Sequence, residues 1–168
     1  MTPARTFYGL RHGATDWNRE GRFQGRLETP LSPLGRRQAE LAGGRLARPA
    51  DPPRIPVPAR APVAILHSPL ERAAATAAAA ALALRAVHGA AVPGLRPEPG
   101  LLEIGQGDWE GLHRDEVVAR YPAELEAWRL RPAEANAPGG ESIRAADRRV
   151  RTALAAVVAG LAGAVPGQ

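Results

Sequence analysis

The chain has 168 residues, the length of one domain, and its 18 glycines and 17 prolines stay below the share that is typical of disordered chains. All 22 of its basic residues are arginine, so the net charge of +5 comes without the lysine that a Walker phosphate loop or a Schiff-base mechanism requires. The absence of cysteine excludes disulfides, thiolate metal sites and cysteine nucleophiles.

Two short β-prone segments each run into a polar turn that contains a histidine. Residues 6–10 end in Arg11-His12-Gly13, and residues 63–66 end in His67-Ser68-Pro69. Both segments are predicted as buried strands, because short apolar runs bounded by turn signals are typical of the interior of a sheet. In α/β proteins ligands bind at the carboxyl ends of such strands, so the first turn is a candidate site.

The other predicted elements are helices separated by proline- and glycine-rich breaks. Ser32 caps and Pro33 starts a helix that extends to about residue 48, with Gly43-Gly44 weakening its end. The alanine- and leucine-rich segment 72–87 predicts a second helix. Loops or breaks are predicted at residues 51–62, 93–100 and 131–140, and a helical stretch at 115–128 is interrupted at Tyr121-Pro122.

The last helix has the clearest pattern. Ser142 caps it, and one apolar stripe follows at spacings of three and four: Ile143, Ala146, Val150, Leu154, Val157 and Leu161. Alternating strands and helices predict an α/β fold whose sheet is covered on its faces. Because neither a signal-peptide pattern nor an apolar run of membrane-spanning length is found, we expect a cytoplasmic protein with no membrane partner.

Arg11, His12 and Arg72 form a candidate phosphate site. Arg-His-Gly alone is more typical of a surface loop, and a single arginine at a helix start is more often a solvated charge. The second predicted strand end, however, delivers Ser68 and then Arg72 to a helix N-terminus, where backbone N–H groups favour an anion. Guanidinium groups match phosphate oxygens in pairs, which favours a phosphate ester as the small-molecule partner.

Glu103 lies in the glycine-rich segment 101–111, which allows two interpretations. The segment is a turn with its acids in water, or Leu102 and Ile104 give the Glu103 carboxyl an apolar setting that favours the protonated form of a general acid. The spacing alone does not choose between them. Its glycines miss the dinucleotide-binding fingerprint, and the histidines have no metal-ligand spacing, so neither a cofactor nor a metal is predicted.

Four ordered blocks of this sequence resemble the histidine phosphatase superfamily, also called phosphoglycerate-mutase-like. They are Arg11-His12-Gly13 with Thr15, Trp17-Asn18, Gln24-Gly25 and Pro30-Leu31-Ser32; Ser68 to Ala73 with Thr76; Leu102-Glu103-Ile104 with Gly107 to Gly111; and Pro138 to Ser142. The resemblance covers nearly the whole chain. It implies a single domain over residues 1–168, a three-layer sandwich with a mostly parallel central sheet covered by helices on both faces.

The resemblance implies metal-independent phosphoryl transfer to a histidine. His12 is then the nucleophile, and Glu103 is the general acid that later acts as a base. The implied phosphate-binding residues are Arg11, Asn18, Arg72, Gln24 and Gly25. A nucleophilic histidine must be neutral when it attacks, and neighbouring arginine charges favour the neutral ring.

Hydrolysis of a small phosphomonoester is expected rather than a phosphoglycerate mutase reaction, although the mutase stays an alternative. Residues 111–138 are short for the basic insertion of such mutases and hold only Arg114, Arg120, Arg129 and Arg131. Sugar phosphates, nucleotide monophosphates and ribazole phosphate all stay open as substrates. A nucleic-acid partner would rest on net charge alone and is not expected.

The resemblance also implies a second pocket histidine, on a strand that follows the last helix in a segment like Val-Ser-His-Gly. This chain ends at Pro166-Gly167-Gln168, and by position His67, His88 and His113 do not replace that histidine. We therefore expect a domain that lacks its C-terminal strand and helix. The alternative function is a catalytically impaired phosphate-ester-binding or interaction remnant. An uncovered strand edge also predicts pairing with a second copy as a homodimer.

Overall fold

Six α-helices and a two-stranded parallel sheet make up residues 6–162, the part of the chain that the computed structural model describes. In chain order they are α1 (Asp16–Glu20), α2 (Pro33–Ala47), β1 (Ile65–His67), α3 (Glu71–His88), β2 (Leu95–Pro97), α4 (Arg114–Arg120), α5 (Pro122–Leu130) and α6 (Ile143–Ala162). Single turns of 3-10 helix lie at Gly89–Ala91, Pro99–Leu101 and Gly107–Trp109. The predicted α/β fold class is confirmed.

Local signals place the boundaries of the predicted helices close to their expected positions, whereas the short α1, capped by Thr15, was not predicted. Ser32 caps α2 by accepting a hydrogen bond from Gly35 N at 3.1 Å, and α2 continues through both of its central glycines. Helix α3 matches the predicted segment to within one residue at each end. Pro122 begins α5 at the predicted interruption, and Ser142 Oγ accepts from Ala145 N at 3.2 Å in the first turn of α6.

The sheet differs from the prediction in three places. The strand expected at residues 63–66 runs from Ile65 to His67, and it is half-buried rather than buried, with Val63 exposed before it. β1 and β2 pair in the register Ile65–Leu95, Leu66–Arg96 and His67–Pro97, so a strand lies inside residues 93–100, which were expected to be a break. Pairing with β1 outweighs the local effect of the prolines, and Pro97 stands at the end of an edge strand, where proline is tolerated. Residues 6–10 are exposed and form no strand, because no other described strand lies beside them to pair with their backbone.

Helices α2 and α3 pack against each other through small side chains. The buried residues of this contact are Ala39 and Ala47 of α2 and Ala80, Ala81 and Leu84 of α3. Gly43 permits the approach, since a Cβ at this position would lie 2.8 Å from Ala80 Cα. The contact holds α3, which carries Arg72, against α2.

A second core supports the segment that contains Glu103. Trp109, Val117, Leu125 and Ala137 are buried together. The rings of Phe23 and Trp128 lie on Trp109, with centroid distances of 5.3 and 6.1 Å. This core joins the loop after α1 to α4 and α5.

The apolar stripe of α6 borders an open groove. Leu154, Val157 and Leu161 line this groove, which has a volume of about 970 Å³, together with residues 6–12 and β1. The stripe is therefore only partly covered among the described residues. The chain end at Pro166-Gly167-Gln168, on which the expectation of a missing strand depends, lies outside them.

One segment of residues 6–162, Glu71–Ala91, has the length and apolar composition of a helix that could cross a membrane. It consists of α3 and the turn that follows. Its residues Thr76, Ala80, Ala81 and Leu84 are buried within the protein. The core helix of a globular protein shares this length and composition.

Candidate functional site

All seven residues predicted for the site line one pocket with a volume of about 250 Å³. The pocket lies where the turn after residues 6–10, the start of α3 and the segment after β2 meet. Its lining consists of Arg11, His12, Asn18, Arg22, Phe23, Gln24, Gly25, Arg72, Glu103 and Gln106. Three arginines face a single carboxylate, so the pocket favours an anionic ligand.

His12 is positioned by the tightly packed turn that carries it. Gly13 N donates a hydrogen bond to Thr76 Oγ1 at 3.1 Å, and a Cβ on Gly13 would clash with the backbone of Gly35. The His12 ring is half-buried, and its Nδ1 lies 2.8 Å from Gly13 O. Because a carbonyl oxygen accepts only from a protonated nitrogen, this contact selects the Nδ1–H tautomer and leaves the Nε2 lone pair available.

Arg72 is held in a fixed orientation at the bottom of the pocket, where it is only 1% exposed. Nη1 donates to Leu27 O at 2.9 Å and to Thr29 Oγ1 at 3.3 Å, and Nη2 donates to Gly25 O at 2.7 Å. These contacts use three of the five N–H groups. Nε–H and one Nη2–H have no acceptor among the described residues, so two donors of a fixed guanidinium group are available to an anion.

The charge of Arg72 is offset by carboxylates around it. Burial lowers the pKa of Arg72, whereas Glu103, Glu28 and Glu110 raise it. Glu28 also accepts a hydrogen bond from Glu71 N, in the first turn of α3, at 2.9 Å. The Glu28 carboxylate thus takes the place of an anionic ligand at the N-terminus of α3. The expectation that this N-terminus binds a ligand is wrong for the Glu71 N–H group.

Asn18 and Gln24 are held by Thr15, the N-cap of α1. Thr15 N donates to Asn18 Oδ1 and Thr15 Oγ1 donates to Gln24 Oε1, both at 2.9 Å. Because these contacts occupy the amide oxygens, each side chain keeps its NH₂ group as a donor at the pocket. Gly25 contributes its carbonyl to Arg72 and has φ of 50°, a conformation that favours glycine.

Arg11 and Glu103 occupy the solvent-exposed rim of the pocket. Arg11 forms no ion pair or hydrogen bond with another residue in the 6–162 range. Glu103 is exposed, and its Oε1 accepts a hydrogen bond from Ile104 N at 2.9 Å. Of the two interpretations of segment 101–111, the structure therefore favours the exposed turn over the apolar setting. Arg26 Nε donates to the Glu103 carbonyl at 3.0 Å and holds this residue at the rim.

The pocket is also lined by three residues that the sequence analysis did not single out: Arg22, Phe23 and Gln106. The first two immediately precede Gln24, and their place in that loop was the available signal. Arg22 Nη1 donates to Gly111 O at 3.0 Å. Within residues 6–162, no group of three or more His, Cys, Asp or Glu side chains is placed to hold a metal ion.

The other histidines lie away from the pocket lining. His67 is half-buried in the neighbouring groove, with Nδ1 2.8 Å from Ser68 O. His88 is the last residue of α3. His113 caps α4 by accepting from Asp115 N at 3.3 Å.

Comparison with known proteins places the whole described region in one family. The model of the histidine phosphatase superfamily (branch 1) matches residues 7–165. Glucosyl-3-phosphoglycerate phosphatase of Mycobacterium tuberculosis is 37% identical over 156 residues, which cover 93% of this chain and 61% of that protein. Phosphoserine phosphatase 1 of Hydrogenobacter thermophilus is 32% identical over 144 residues, which cover 84% of this chain and 59% of that protein.

Solved structures show the same likeness. The native mycobacterial glucosyl-3-phosphoglycerate phosphatase superposes with a TM-score of 0.73 at 35% identity, over 90% of this chain and 62% of the other. The alpha-ribazole phosphatase of Shigella flexneri superposes with a TM-score of 0.70 at 28% identity, over 90% of this chain and 66% of the other. The chain therefore spans about 60% of the length of the two curated relatives named above.

Proposed function

Because this chain belongs to branch 1 of the histidine phosphatase superfamily, we propose that it hydrolyses a small phosphomonoester through a phosphohistidine on His12. The observation that carries this proposal is the convergence at one small pocket of the free Nε2 of His12, two free donors of Arg72 and the Glu103 carboxyl group. A volume of about 250 Å³ suits a phosphoryl group with a small organic part.

In the first step, His12 Nε2 attacks the phosphorus atom in line with the ester oxygen. The N–P bond forms while the P–O bond to the alcohol breaks, and protonated Glu103 gives its proton to the leaving oxygen. Arg72 and Arg11 bind the three equatorial oxygens and stabilise their charge, and the Asn18 amide adds a donor. The arginines supply the charge neutralisation that a divalent cation supplies in other phosphoryl-transfer sites.

In the second step, water attacks the phosphohistidine. The Glu103 carboxylate takes a proton from this water. At the same time the water oxygen forms a bond to phosphorus and the N–P bond to His12 breaks. Inorganic phosphate leaves, and His12 and protonated Glu103 are restored. The exposure of Glu103 at the pocket rim gives water access to this position.

Hydrolysis is favoured over a mutase reaction by the position of the basic residues that follow the segment 101–111. Arg114, Arg120, Arg129 and Arg131 are all absent from the pocket lining. A mutase must hold the dephosphorylated alcohol for return of the phosphoryl group, and these cations are not placed to hold an acidic product. The relatives named above act on phosphoserine and on glucosyl-3-phosphoglycerate, so we propose a small phosphorylated metabolite as the substrate class.

Rapid acid–base quenching with a ³²P-labelled phosphomonoester tests the proposal. Label that is stable in base and labile in acid is expected on the unmodified chain and on His88→Asn, a control at the far end of α3. It is expected to disappear in His12→Asn. Label that persists in His12→Asn, or that is stable in acid, would refute the phosphohistidine. Phosphate binding without label or turnover would support the second candidate, a phosphate-ester binder.

A further inference from the structure

A half-buried ion pair joins α6 to the segment that leads into Glu103. Arg149 donates from Nε and Nη2 to the two carboxylate oxygens of Glu141 at 3.0 and 2.7 Å. Its Nη1 donates to Gly100 O and Leu102 O at 2.9 and 3.0 Å. The side chains of Arg149 and Glu141 are 22% and 16% exposed, and their hydrogen bonds lower the pKa of Glu141 and raise that of Arg149. One guanidinium group therefore holds both a carboxylate and two backbone carbonyls.

Arg26 connects the same carboxylate to Glu103 itself. Its Nη2 donates to Glu141 Oε2 at 2.9 Å and its Nε donates to Glu103 O at 3.0 Å. Glu110 adds a parallel link, since its Oε1 accepts from Arg26 N at 3.0 Å and from Gln106 N at 2.9 Å. The Glu103 segment is thus bound from α6 on one side and from the Arg26 loop on the other.

The residues on either side of Arg26 bind Arg72. Gly25 O and Leu27 O accept from the Arg72 guanidinium at 2.7 and 2.9 Å. The backbone of this short loop therefore orients the candidate phosphate-binding group, while the Arg26 side chain orients the segment of the candidate proton donor. The spacing between Arg72 and Glu103 depends on this loop.

We infer that Arg26, Glu141 and Arg149 are positioning residues for Glu103, a role that rests on the proposed function. They hold Glu103 at the distance from the Arg72-bound phosphate at which its proton reaches the leaving oxygen. Proton transfer from a general acid needs a separation of about 2.6–3.2 Å between the carboxyl oxygen and the leaving oxygen. If Glu103 is held less firmly, the steps that need protonation become slower. Phosphate binding at Arg72 stays unchanged.

Arg149→Lys is the informative variant, because an ammonium group cannot serve two carbonyls and both carboxylate oxygens in the planar geometry of a guanidinium group. Arg151→Lys is the matched control, since Arg151 lies in the same helix and pairs with Asp147 in an exposed contact. With glycerol phosphate as the alkyl substrate, kcat of Arg149→Lys is expected to fall about tenfold. With p-nitrophenyl phosphate, whose leaving group needs little protonation, the expected loss is under about twofold.

Two comparisons separate positioning from a general structural effect. In a Glu103→Gln background, Arg149→Lys is expected to cause no further loss on the alkyl substrate, and inhibition by inorganic phosphate is expected to stay unchanged. Equal losses on both substrates, or additive losses in the double variant, would overturn the inference. Glu141→Gln, which keeps the shape of the side chain, is the second variant if Arg149→Lys does not fold.

Amide hydrogen exchange measures the same connection without turnover. The Gln106 N–H and the Glu141 N–H, which donates to Gly105 O at 2.8 Å, are expected to exchange faster in Arg149→Lys and at the normal rate in Arg151→Lys. If the chain hydrolyses neither substrate, the proposed function fails. Unchanged exchange at both amides overturns the inference independently of that result.

Discussion

Two adjacent glycines of α2 are expected to respond in opposite directions to replacement by alanine. A Cβ on Gly43 would lie 2.8 Å from Ala80 Cα and 3.0 Å from Ala79 O, whereas a Cβ on Gly44 meets no atom within 4 Å. Both glycines are inside the helix, so each alanine gains about 0.8–1.0 kcal/mol in helix propensity. At Gly43 the overpacking against the α3 backbone costs about 1–3 kcal/mol.

The net expectation is a loss of about 1 kcal/mol for Gly43→Ala and a gain of about 1 kcal/mol for Gly44→Ala. A change of 1 kcal/mol shifts the melting temperature of a domain of this size by about 2–4 °C, so the two variants are expected to differ by roughly 4–8 °C. Thermal unfolding followed by circular dichroism measures the difference. A Gly43→Ala variant that melts at or above Gly44→Ala would refute the close approach of α2 and α3.

Three further predictions concern the site and the open groove. Glu103→Gln is expected to slow hydrolysis of alkyl phosphates by about 10²-fold or more and that of phosphates with good leaving groups much less; equal losses would make Glu103 structural. Because hydrogen bonding to Arg149 lowers the pKa of Glu141 below its ordinary 4.5, the ion pair stabilises the fold above that pH and this contribution is lost as the pH falls through the lowered pKa. We therefore expect the free energy of unfolding, measured with urea, to fall less between neutral pH and about pH 3 in Glu141→Gln than in the unmodified chain. Parallel plots of this free energy against pH for the two proteins would contradict the prediction. The open edge of β1 and the exposed residues 6–10 border one groove. We therefore expect sedimentation velocity to show a fraction of dimer that increases with protein concentration. A monomer at every concentration would exclude the homodimer.

Five of the six described helices could be predicted because their signals are local, and only the five-residue α1 was missed. Capping by Ser32, the alanine-rich composition of α3 and the spacing of the α6 stripe each act over a few residues. Strands depend on a partner that is distant in the chain. For this reason residues 6–10 were predicted as a strand that is not observed, and β2 was missed in a proline-rich segment. Neither outcome follows from local preference.

The lining of the pocket was also accessible from the sequence, because the ordered blocks that contain it resemble those of one family. All seven predicted residues line it, from Arg11 to Glu103. The sequence left open whether Glu103 is exposed, and it did not reveal that Glu28 takes the first N–H of α3. Both facts depend on which loop lies opposite, and flanking residues carry no information about that.

The sequence by itself therefore determined five of the six described helices, the α/β class and seven of the ten residues that line the pocket, because propensity, capping and motif order are properties of neighbouring residues. Only the tertiary structure decided how those residues are oriented. The carbonyls that orient Arg72 lie 45 and 47 residues away in the chain, and the two that Arg149 binds lie 49 and 47 residues away. Hydrogen bonds over such separations form only when packing brings the loops together, so the two free donors of Arg72 and the connection from Arg149 to Glu103 exist only in the folded chain.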